Sequence, residues 1–128
     1  MTPSARLQAA IEILDLIILA ARENGPAADT ILASWFKTRR FAGSKDRRAV
    51  REHVYAAIRA FGVMPRTGRE AFVGLARTDA DLAALFDGTA YGPAVIAVEE
   101  RYAKPSPLAP WLAALVPSGE HDALLERA

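Results

Sequence analysis

Apolar residues recur near the start of the chain at intervals of three and four: Leu7, Ile11, Leu14 and Ile18. Ile13, Leu16 and Ile17 widen that stripe, and Gln8, Glu12, Asp15 and Arg22 mark a narrow polar edge. A period near 3.6 with so little polar face predicts a long helix that is mostly buried. Pro3 suits the first helical turn, and Ser4 is a capping residue type. Asn24-Gly25-Pro26 supplies the stop.

A second helix is predicted over residues 27–39, with Ile31, Leu32, Trp35 and Phe36 as its apolar side. Lys37, Arg39 and Arg40 fall at its end, where cations complement the helix dipole. Residues 41–44, Phe-Ala-Gly-Ser, read as a turn, with Ser44 placed to cap a third helix. On that helix Val50, Val54, Ala57, Ile58 and Phe61 share a face. Lys45, Arg48, Glu52 and Arg59 lie roughly opposite, and Arg47 and Arg51 flank the apolar stripe. Gly62 and Pro65 end it.

Thr67-Gly68-Arg69-Glu70 has the form of a capping box and opens a fourth helix reaching about Ala76. Thr78 or Asp79 can cap a fifth, through Phe86. Residues 87–93 form a loop. Five of the eight prolines lie from Pro93 onward, and residues 104–111 resemble an extended connector. Short helices are expected around 111–116 and 119–127. No segment carries a strand pattern. The predicted fold is an all-α bundle of five to seven helices.

The chain's 128 residues suit one domain of ordinary size. At 52% hydrophobic and 24% charged it is too apolar for whole-chain disorder. The absence of cysteine excludes disulfides, thiolate metal sites and a cysteine nucleophile. It also suits a reducing cytoplasm. The N-terminal stretch lacks a basic n-region and is interrupted by Glu12 and Asp15, unlike a signal peptide. The apolar run 16–21 is too short to cross a bilayer. A cytoplasmic protein with no membrane partner is expected.

Charge sharpens the picture. The net charge is only +1, yet residues 37–69 hold ten basic and two acidic residues, a local net of +8. The rest of the chain holds six basic and thirteen acidic residues, a net of −7. Such a local excess points to a polyanion at one surface. Arg47 and Arg51 repel each other at i,i+4, a cost that a purely structural face has no reason to bear. Arg48 and Glu52 have the spacing of a helical ion pair. The residues expected to contact nucleic-acid phosphates are Lys37, Arg39, Arg40, Lys45, Arg47, Arg48 and Arg51.

Other chemistry finds little footing. His53, at the edge of the third helix's stripe, and His121, in the tail, are isolated, so no metal site is expected. Ser44 has no histidine near it in sequence. Glu99 and Glu100 are adjacent, and adjacent helical residues do not face each other. There is no Gly-rich phosphate loop. No catalytic residue is expected.

Three stretches resemble the N-terminal region of bacterial Sun/Fmu-type (RsmB-like) 16S rRNA cytosine-5 methyltransferases. They are ARLQAAIEILDLI (5–17), AADTILASWFKTRRFAGSKDRRAVREHVYAAIR (27–59) and ALFDGTAYGPA (84–94). The positions matching that family's pattern are Asp29, Leu32, Phe41, Asp46, Arg47, Val50, Val54, Tyr55 and Arg59. The resemblance implies a NusB-like helical fold and an RNA-binding accessory role, positioning small-subunit rRNA. The family's methyl transfer is done by a following domain that binds S-adenosylmethionine and uses two cysteines. No cofactor is therefore expected in this chain, which would not be catalytic alone. Residues 1–92 would form the RNA-binding domain, and 93–128 a Pro-rich helical extension or linker toward a methyltransferase domain. After Gly62 the predicted helices are shorter than the family's usual long apolar pair. The matching Asp46-Arg47 pair is a candidate structural bridge at the helix start. The alternative class is a protein–protein interaction or interdomain packing module using the same basic face.

Overall fold

The computed structural model describes residues 1–106 and 111. Among these the regular elements are five helices: α1 (Pro3–Arg22), α2 (Ala28–Lys37), α3 (Ser44–Ala60), α4 (Gly68–Ala76) and α5 (Ala80–Ala84). The protein is an all-α bundle. None of these helices is long and apolar enough to cross a membrane.

α1 is the central rod, packed against α2, α3 and α4. Leu7, Ile11, Ile13, Leu14, Ile17 and Ile18 are all buried. Full burial of one such side chain contributes about 1.5–3 kcal/mol. The fourth side faces solvent with Glu12, Asp15, Leu16, Leu19 and Glu23. Leu16 was expected in the buried stripe, but it shares the i,i+3 and i,i+4 row of that polar edge and is half exposed.

Thr2 caps α1, its hydroxyl accepting the Ala5 N–H at 3.0 Å. Ser4 does not cap. With Pro3 as the first helical residue, the cap falls one position earlier. Ser4 turns inward and donates to the Asp87 carboxylate. At the other end Asn24 takes the left-handed conformation at φ 54°, and the Gly25 N–H reaches the Ala20 carbonyl at 2.7 Å. That bond closes the helix in the Schellman manner.

α2 stops at Lys37, two residues earlier than its spacing predicted, with Thr38 as C-cap. Its buried face is Leu32, Trp35 and Phe36. α3 begins at Ser44 with Gly43 as N-cap, and no side chain caps it through Ser44. Asp46 serves instead: its carboxylate accepts the Gly43 N–H at 3.0 Å. α4 is capped by Thr67, whose hydroxyl accepts the Glu70 N–H at 3.1 Å. Its first residue presses onto α1, where the Gly68 N–H donates to Asp15 at 2.6 Å. α5 is capped by Asp79 through the Leu82 N–H and ends at Ala84, short of Phe86.

Residues 93–106 run across the bundle without a helix. Pro93 is fully buried, and Ile96, Tyr102 and Ala103 pack against the core. The Ala103 N–H donates to the Glu70 carbonyl at 2.9 Å and the Ser106 N–H to that of Ala60 at 2.7 Å. The Trp111 N–H reaches Phe61 at 3.1 Å. The helices expected around 111–116 and 119–127, and His121, lie outside the described residues apart from Trp111.

Candidate nucleic-acid interface

Residues of α2 and of the first half of α3 line one groove of about 580 Å³. Leu32, Ala33 and Phe36 of α2 give it apolar lining, and Lys37, Arg47, Arg48 and Arg51 give it charge. Among the described residues, no acidic one lines it. Four of the seven expected contact residues therefore share one surface. Segment 38–43 joins the two helices, and the groove brings Lys37, at the end of α2, together with Arg47, Arg48 and Arg51 of the first half of α3.

Two of the four cations there are positioned through their guanidinium groups. The Arg47 Nε donates to the Ala42 carbonyl at 3.2 Å, and its guanidinium lies 5.8 Å from the Phe36 ring centroid. The Arg51 guanidinium lies 5.0 Å from the Tyr55 ring centroid. Lys37 and Arg48 make no hydrogen bond or ion pair among the described residues. The expected Arg48–Glu52 pair does not form.

The other three expected residues lie apart from the groove. Arg39 falls beyond the end of α2 and turns to the opposite side. There its guanidinium stacks 4.0 Å from the Trp35 ring centroid and donates to the Trp35 carbonyl and the Thr38 hydroxyl. Arg40, in the turn, and Lys45, in the first turn of α3, are exposed and line no part of the groove. Further along, Arg66 pairs with Glu70 and Arg69 with Glu100, which neutralises the distal part of the basic stretch. Glu100 is thus half-buried and ion-paired, while Glu99 is exposed.

Asp46 does not bridge to Arg47. Its carboxylate faces α1 and meets the Arg6 Nε at 2.9 Å, because Arg47 points the other way, toward Phe36. Arg6 and the Gly43 N–H hold the Asp46 carboxyl below the usual carboxylate range. This removes the single acid of the α3 first turn from the groove's field.

His53 is half-buried and meets Phe72 edge-on at 6.2 Å between centroids. Burial lowers its pKa. No group of three or more metal-ligating side chains occurs among the described residues.

Sequence reasoning matched Phe41 to a family position but assigned no binding role to the exposed rings of Phe41 and Tyr91, nor to the groove's apolar lining. Phe41 sits in a turn outside any helical stripe, which is the signal that it owes nothing to the core. No family model matches the chain, and no curated protein or solved structure matches it significantly.

Proposed function

We propose that this chain is a NusB-like RNA-binding module, the accessory domain of a cytoplasmic S-adenosylmethionine-dependent rRNA (cytosine-5) methyltransferase. The observation that carries RNA binding is the acid-free α2–α3 groove, where Lys37, Arg47, Arg48 and Arg51 converge without ion-pair partners among the described residues. Guanidinium and ammonium groups so placed neutralise successive phosphates and release counterions. The contacts made in this groove are to the RNA backbone. The methyltransferase link rests on the sequence resemblance over 5–17, 27–59 and 84–94.

In this reading the module holds small-subunit rRNA by its backbone, and a separate domain carries the cofactor and the chemistry. The chain by itself transfers no methyl group. The experiment is a fluorescence-anisotropy titration of small-subunit rRNA fragments with the wild-type chain and an Arg48→Glu/Arg51→Glu variant. Loss of RNA affinity at unchanged melting temperature supports the reading. Negligible wild-type affinity at low salt overturns it, and assigns the basic face to an acidic protein partner.

A further inference from the structure

On the other side of α2 from the basic groove lies a second concavity, a cleft of about 550 Å³. It is bordered by Gln8 and Glu12 of α1, Trp35 of α2, Arg39, and two aromatics from separate loops, Phe41 and Tyr91. Phe41 is 73% exposed and Tyr91 83% exposed. Neither contributes to the core, so folding does not explain them. The volume lies within the range of about 300–1,000 Å³ found for small-molecule sites.

The lining has the chemistry of a nucleobase site. Aromatic rings and a guanidinium plane give faces on which any base can stack. Arg39 is already oriented by its Trp35 and Thr38 bonds, at 3.2 and 2.9 Å. The Gln8 amide donates to the Glu12 carboxylate at 3.4 Å, and together they form a polar edge beside the aromatic faces.

The two concavities share α2. Leu32, Phe36 and Lys37 look into the basic groove, whereas Trp35 and Arg39 look into the cleft. Arg40, exposed and unpaired among the described residues, lies in the turn just past α2, between Arg39 and Phe41. The juxtaposition points to one strand using both surfaces. We propose that the cleft takes an unpaired base of an RNA whose phosphates lie on Lys37, Arg47, Arg48 and Arg51. This rests on the RNA-binding reading, and adds that the preferred target is an RNA with an unpaired segment rather than a continuous duplex.

The test compares two labelled RNAs: a hairpin with an adenosine loop, and the same stem closed as a blunt duplex. Each is titrated by anisotropy with the wild-type chain, with Phe41→Ala/Tyr91→Ala and with Arg48→Glu/Arg51→Glu. The expected result is tighter wild-type binding of the hairpin, and a loss of about tenfold or more in hairpin affinity on removing the two aromatics. Duplex affinity and the melting temperature of that variant stay unchanged. Equal wild-type affinity for hairpin and duplex overturns the base cleft, as does an aromatic variant that changes neither or both equally. If only the charge-reversal variant loses binding, RNA binding stands and the base cleft falls. If the wild-type chain binds neither RNA at low salt, both fall.

Discussion

Gly74 of α4 lies directly under the Ala103 backbone: a Cβ built on Gly74 would stand only 1.9 Å from the Ala103 carbonyl oxygen. The same segment is fixed by the Ala103 N–H bond to Glu70, one helical turn away. In an open helix, replacing glycine by alanine stabilises by about 0.5–1 kcal/mol. Here the new methyl meets backbone that cannot yield without releasing residues 93–106. Gly74→Ala is expected to reverse the usual sign and destabilise by about 1–3 kcal/mol. A thermal melt checks it, and faster proteolysis within 93–106 should accompany the loss.

Acid should unfasten the bundle at three carboxylates. Arg6 with the Gly43 N–H depresses the Asp46 pKa, Ser4 with Thr89 that of Asp87, and Arg69 with the Ala97 N–H that of Glu100. A carboxylate depressed in the folded state binds fewer protons there than in the unfolded chain. Its contribution is complete above the unfolded pKa, 3.8 for Asp and 4.5 for Glu, and is lost as pH falls through the folded value. Melting temperature should therefore drop on acidification below that range. Arg6→Ala removes the largest cause at Asp46, so the gap between variant and wild type should narrow as pH falls. Melts at neutral pH and at about pH 2–3 measure it.

His53 adds a separate limb at higher pH. Burial against Phe72 lowers its pKa below 6.5, with Glu52 and Asp79 opposing that shift and Arg6 reinforcing it. The folded state then binds fewer protons than the unfolded chain, so stability falls as pH drops from 6.5 toward the folded value. Replacing His53 by Gln should flatten the melting temperature between about pH 7 and 5. A slope that survives the substitution would place the titrating group elsewhere.

Local signals were the legible ones. Thr67 and Glu70 announce the α4 start because a cap is made within four residues. The α1 stripe announces burial because its period matches the helix. Long-range chemistry was opaque. Nothing near Asp46 in sequence indicates that its partner is Arg6, 40 positions away. Nor does composition show that residues 93–106, with prolines at either end, lie along α4. The basic cluster was read as one patch, but it is divided between two faces of α2. Arg39 follows Trp35 by four positions and falls on the Trp35 side, whereas Lys37 falls with Leu32, Ala33 and Phe36 on the groove side.

Loss of the Arg39 side chain should accordingly act differently from loss of Arg48. Arg39→Ala removes the stack on Trp35 and borders only the cleft, so duplex RNA affinity should change little. Arg48→Ala removes an unpaired groove cation and should weaken duplex and hairpin alike, with the salt slope shallower by about 0.7–0.9. Parallel titrations of the two variants separate the two surfaces.

The most direct measurement is the salt dependence of wild-type binding to a small-subunit rRNA fragment. If Lys37, Arg47, Arg48 and Arg51 each neutralise a phosphate, log affinity should fall against log salt with a slope of about −3 on a single strand. The Arg48→Glu/Arg51→Glu variant should lose most of that slope together with its affinity. A wild-type slope near zero, or one that the double reversal leaves unchanged, would contradict an RNA-binding groove between α2 and α3.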